Sequence, residues 1–232
     1  MISRCLAIIT VLSMPFGAFA NDLDTGNLLR ARTYNKMFFG QEEPANYLKT
    51  QIDLPGAAHL IHHLRTVMPG VLYRAGAAGG QNPLTPAALK ALCEAGFSLA
   101  VYGYPTGFRA KAPTTCTTYD GKPNSLEYIA GAILDLQFRK NVVKRVGEVI
   151  NDPTKGPVLV HCWNGFHASG ELAAISLRQY CGLSGSEGYR YWVSLANGET
   201  RDSRVASFQT DSSAELPASL KDILCRQTRA GL

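Results

Sequence analysis

The chain has 232 residues, 46% of them apolar and 18% charged, with a formal net charge of +5. This is the balance of a soluble folded domain, and no internal repeat or low-complexity tract interrupts it. The positive excess is too mild and too dispersed for a nucleic-acid surface, though it suits a small anionic ligand.

Residues 1–20, MISRCLAIITVLSMPFGAFA, place Arg4 ahead of a short apolar run and end on small residues at Ala18 and Ala20, the layout of a secretory signal. Ser13 and Pro15 break the run, which falls short of the ~20 residues a membrane helix needs. Cleavage near Asn21 is therefore expected, giving a periplasmic or secreted protein of roughly 210 residues without a stable membrane anchor. Residues 21–45 are polar and aperiodic and are expected to form a loosely held arm, the folded domain running from 46 to 232.

From there the pattern tightens. AAHLIHHLRTVM (57–68) reads as a short helix ended by Pro69 and Gly70, with His59, His62 and His63 on an amphipathic face. VLYR (71–74) reads as a strand entering the glycine-rich turn AGAAGG, where Arg74 is expected to partner a carboxylate. Thr85 and Pro86 start a helix that Gly96 stops, and FSLAVYGY (97–104) is a strand. Segment 105–125 is long for a connection inside a domain, and Cys116 offers to tie it down. LEYIAGAILD (126–135) is a strand, and the spacing of Phe138, Val142, Val143, Val146 and Val149 predicts a helix. A short apolar strand, PVLV (157–160), leads into HCWNGFHASG and then a helix over ELAAISLRQYCGL. Alternating strands and helices argue for an α/β fold with a partly parallel sheet flanked by helices.

Of six cysteines, Cys5 lies in the signal, leaving an odd number for an oxidising compartment. If neighbours along the fold pair, the bridges are Cys93 with Cys116 and Cys181 with Cys225, and Cys162 stays apart; sequence leaves the connectivity open.

Strand, short turn, helix is also a recipe for an anion site. Turn amides and the helix N-terminus converge on one spot, and the helix dipole favours negative charge there. A cysteine at the strand end sits in that field, which makes its thiolate more accessible. The close spacing of His161, Cys162 and His167, with no further ligand cluster nearby, argues against a metal site, and no cofactor is called for.

VLVHCWNGFHASG closely resembles the phosphate-binding loop of the cysteine-dependent tyrosine and dual-specificity phosphatases: His-Cys, two residues, Gly, two residues, Arg, then Ser or Thr and usually Gly. His161, Cys162, Gly165, Ser169 and Gly170 fall on that pattern, and Ala168 stands where the arginine belongs. GVLYRAG upstream is similar to the Leu-Tyr-Arg-Ser-Gly stretch of bacterial dual-specificity-like members. The resemblance implies a three-layer phosphatase-type fold and a phosphocysteine mechanism. In it Cys162 is the nucleophile, Ser169 stabilises the thiolate, and an aspartate, Asp135 ahead of Asp120, protonates the leaving oxygen. His161, Trp163, Asn164, Gly165, Phe166, His167 and Ala168 would line the ligand. It further implies a phosphorylated small molecule or phosphoprotein as partner.

The missing guanidinium would have gripped two phosphate oxygens at once, and losing one preorganised donor costs about 100- to 1000-fold in rate. The resemblance thus leaves two readings: an inefficient phosphatase, or a pseudophosphatase that holds an anionic ligand without turning it over. Replacement cations would have to come from His167 beside Ala168 or from Arg178, Arg201 or Arg204 elsewhere in the fold.

Overall fold

The structure, a computed structural model, describes residues 17–42, 44, 46–77, 82–196, 198 and 204–230. The signal read in residues 1–20 lies outside these except for the backbone of 17–20; the glycine run at 78–81 and Arg201 lie outside them as well. Six strands, β1 (Ile61–Met68), β2 (Leu72–Ala77), β3 (Leu99–Tyr102), β4 (Thr114–Thr117), β5 (Pro123–Ala130) and β6 (Val158–Cys162), form one sheet in the order β1-β2-β6-β3-β5-β4. The inner four are parallel, and β1 and β4 close the two edges antiparallel. β6, buried at all five positions, shows why residues 157–160 are uniformly apolar: a central parallel strand is covered on both faces.

Helices α1 (Gly17–Phe39), α2 (Pro86–Glu94), α3 (Leu136–Ile150), α4 (Ala168–Cys181), α5 (Gly185–Ser194), α6 (Arg204–Ser207), α7 (Ala218–Leu224) and α8 (Arg226–Ala230) complete the three layers. On one face Leu72, Val101, Val158 and Val160 meet α3, α4 and α5; on the other Tyr73, Ala75, Ala100 and Leu159 meet α2 and the end of α1. α2 carries the chain from β2 to β3 and α3 carries it back from β5 to β6, which inserts between them. β6 is thus a topological switch point, and the crevice at the carboxyl edge of the sheet opens there. Disulfides Cys93–Cys116 and Cys181–Cys225 form as expected, the first tying the 105–125 connection to α2, and Cys162 is free. Among the described residues no helix is long and apolar enough to cross a membrane.

Two expectations are corrected. The loose arm expected over 21–45 is not seen up to residue 39: α1 runs to Phe39 and docks on the domain. Its Arg30 Nη1 donates to the carbonyls of Val149 (2.7 Å), Asp152 and Lys155, and Asn27 Nδ2 donates to that of Ile150 (3.0 Å). These side chains satisfy the orphan carbonyls at the end of α3, a polar docking that an apolar period does not reveal. Farther along, Tyr34 and Phe38 pack on Tyr73 and Phe97. Segment 61–68 is a strand, not a helix. Its register shifts between His62 and Arg65, and His63 adopts φ 53°, so a bulge resets the alternation and produces the helix-like spacing of Ile61 and Leu64.

Candidate functional site

Cys162 ends β6, and residues 163–167 turn over its sulfur into α4. Gly165 makes the turn with φ 78°, and a side chain there would lie 2.6 Å from the Gly76 nitrogen and 2.8 Å from the Ala75 carbonyl carbon. Gly76 is as restricted in return: a Cβ would meet the Asn164 carbonyl carbon at 2.5 Å. Two glycines back to back thus let the loop lie directly on the end of β2.

What happens to the loop's carbonyls decides its chemistry, since a peptide group that turns its oxygen outward turns its N–H inward. The Trp163 oxygen accepts from Ala77 N (3.0 Å) and the Asn164 oxygen from His63 Nδ1 (2.8 Å). The oxygens of Gly165 and Phe166 accept from Arg74 Nη2 (2.7 and 3.0 Å), and that of His167 from Trp192 Nε1 (3.0 Å). Five successive carbonyls are held by donors behind the loop. No backbone N–H from 163 to 169 donates to a backbone carbonyl among the described residues. The amides are free to converge over Cys162, and the N-terminus of α4 adds its partial positive charge.

Cys162 is buried, with Sγ 3.3 Å from Ser169 Oγ. Ser169 does not cap the helix: the cap position is His167, which makes no side-chain cap bond, and the Ser169 hydroxyl faces the thiol instead. Ala168 is buried with its methyl against Gly103, where an added Cβ would lie 2.8 Å from it. Trp163 and His167 are exposed on the rim, Asn164 is exposed, and Phe166 packs its ring on His63 at 4.6 Å. His161 is corrected as a ligand-lining residue. Strand alternation puts its ring on the face opposite Cys162, fully buried, stacked 4.9 Å from Tyr102 and 2.9 Å from Tyr128 Oη. Burial pushes its pKa from 6.5 down to about 3, so the ring is neutral.

The outer wall is aromatic. Trp163 Nε1 donates to Tyr102 Oη (2.6 Å), and Tyr104 packs edge-on against both rings. Burial first, then negative charge at Cys162, pushes Tyr104 up to about 12, keeping it a phenol beside the sulfur at neutral pH. Beyond it Glu171, buried in the first turn of α4, pairs with Arg139 of α3 (3.4 Å) and Arg204 of α6 (3.2 Å).

Of the expected replacement cations, Arg178 is committed to the carbonyls of Val205, Ala206 and Phe208, whereas Arg204 is held at the α4 terminus by Glu171. Asp135 lies in the β5–α3 connection at the carboxyl edge, the same edge as the loop, where it is exposed and caps α3 through Gln137 N (2.8 Å). Asp120 is excluded as the acid. It sits in the turn before β5, at the opposite edge of the sheet, bonded to Thr118 and Lys122. Arg74 binds loop carbonyls rather than the expected carboxylate. GVLYRAG signalled its importance but not its partner, and only the break in alternation at the histidine doublet marked His63 in the sequence.

No protein-family model matches the chain, and neither does any curated protein. Among solved structures, P. aeruginosa TpbA in complex with phosphotyrosine is similar at 16% identity and TM-score 0.44, over 71% of this chain and 89% of that one. A human tyrosine phosphatase-like serine/threonine/tyrosine-interacting protein is similar at 12% identity and TM-score 0.38, over 68% of this chain and 93% of that one.

Proposed function

We propose that this is an exported protein of the tyrosine/dual-specificity phosphatase type that binds a phosphorylated small molecule or phosphoprotein over Cys162 and hydrolyses it inefficiently. The observation that carries the reading is the set of five outward carbonyls, which leaves the amides of the loop free to hold phosphate oxygens around a buried free thiol. The Cys162 thiolate attacks phosphorus, and the leaving oxygen departs with a proton from Asp135. Water then cleaves the phosphocysteine, with Asp135 as base and the Ser169 hydroxyl stabilising the released thiolate. Tyr104 and Trp163 give an organic leaving group an aromatic wall. Two bridges among the cysteines support an oxidising compartment.

Ala168 supports the second reading, a pseudophosphatase, because the loop itself holds no guanidinium. Mature wild type and Cys162→Ser are compared for tungstate binding and for hydrolysis of a generic aryl phosphate. Turnover lost in Cys162→Ser supports the enzyme, and tungstate binding without turnover supports the binding module. Absence of both in the wild type refutes the proposal.

A further inference from the structure

Behind the loop the structure holds two guanidiniums that meet no carboxylate among the described residues. Arg65 of β1 and Arg74 of β2 are directly opposed in the antiparallel register, which puts both side chains on the α4–α5 face of the sheet. Arg74 is fully buried; one nitrogen, Nη2, serves the loop carbonyls, while Nε and Nη1 have no partner. Arg65 is half-buried, and its Nε is unpartnered too, its Nη1 being on the His63 carbonyl. Tyr191 lies beneath, its ring centroid 5.9 Å from the Arg74 Cζ and its hydroxyl buried without a partner. Burial and the charge on Arg74 both lower the Arg65 pKa, and Tyr191 alone opposes them.

Among the described residues, three buried guanidinium nitrogens and a phenol thus lack acceptors, and Arg74 also lies against the positive end of α4. Unmet buried donors are costly, the more so when charged. Neither a carbonyl nor a carboxylate of the described chain meets the need. A bound anion meets it, accepting from the donors and neutralising the charge together. We propose that a small inorganic anion such as chloride binds between Arg65, Arg74 and Tyr191. Nη2 is closed off by the loop carbonyls and by Gly170, where a Cβ would lie 2.8 Å from it, so the anion meets Arg74 at Nε and Nη1. Because Arg74 also grips Gly165 and Phe166, the anion fixes the guanidinium that holds the loop open.

The site stands whether or not Cys162 turns over substrate, and chloride tests it. The thermal midpoint of the wild type, with tungstate saturating the loop, is compared in sodium chloride and in sodium gluconate at equal ionic strength. Chloride raises it by several degrees with a saturable dose response. In Arg65→Met, which keeps the apolar stem, the chloride-specific shift falls at least threefold, and Tyr191→Phe reduces it less. Crystals in sodium bromide show an anomalous peak between the two arginines. A water there in bromide, or an undiminished chloride shift in Arg65→Met, overturns the proposal. The bromide measurement needs no variant and decides even if Arg65→Met fails to fold.

Discussion

Replacing Gly165 by alanine separates backbone strain from the close approach that shapes the loop. Two glycines with left-handed φ serve as probe and control. Gly121, in the turn between β4 and β5, has φ 83° with nothing within 4 Å of the position a Cβ would take, so Gly121→Ala incurs only the left-handed penalty, about 1–2 kcal/mol. Gly165, at φ 78°, carries the same penalty and adds contacts of 2.6 and 2.8 Å with backbone atoms of Gly76 and Ala75. A central strand cannot yield as a flexible side chain would, and overpacking of this kind costs about 1–3 kcal/mol more. Gly165→Ala should therefore lose about 2–5 kcal/mol in urea unfolding, against about 1–2 for the control. Relief comes from lifting the loop, which misaims its amides. Forfeiting even one charge-assisted hydrogen bond of about 1.5–3 kcal/mol weakens tungstate binding at least tenfold. Gly121→Ala should bind like the parent. Equal stability losses in the two variants, with tungstate affinity unchanged in Gly165→Ala, would refute the reasoning.

Ala168→Arg restores the missing fork and should raise kcat/KM on an aryl phosphate by about 100-fold or more; a folded variant with neither faster turnover nor tighter tungstate binding contradicts the loop assignment. Asp135→Asn keeps a competent cap for α3, so stability should change little, while turnover falls by about 100-fold if Asp135 is the acid; an equal loss of stability and activity points to the cap alone. His161 has a folded pKa of about 3, below its unfolded value of 6.5, so protonation favours unfolding: its contribution is present above pH 6.5 and fades as pH falls toward 3. Between pH 6.5 and 5 the wild type should lose about 1.5–2 kcal/mol more than His161→Asn in urea unfolding, and parallel curves would show that the ring is not held neutral.

The elements around Cys162 were legible because each is local. The apolar PVLV, the spaced glycines and the run into α4 are contiguous, and the alternation of elements carries the layer order. The disulfide pairs were legible by proximity of the elements they join. What sequence hides is contact at a distance. α1 docks through Asn27 and Arg30 on carbonyls more than a hundred residues away, and no apolar period records such bonds. β1 mimics a helix because its bulge inserts one residue. The donors that turn the loop's carbonyls outward come from β1, β2 and α5, three elements that share no motif, and the pairing of Arg139 and Arg204 on Glu171 joins three helices.

The account depends on amides that converge over the Cys162 sulfur, and a crystal structure with tungstate tests this most directly. The tungsten should lie over Sγ, with its oxygens within hydrogen-bond distance of the backbone nitrogens between 164 and 169. A loop whose carbonyls face the sulfur, with no anion above it at saturating tungstate, contradicts the account.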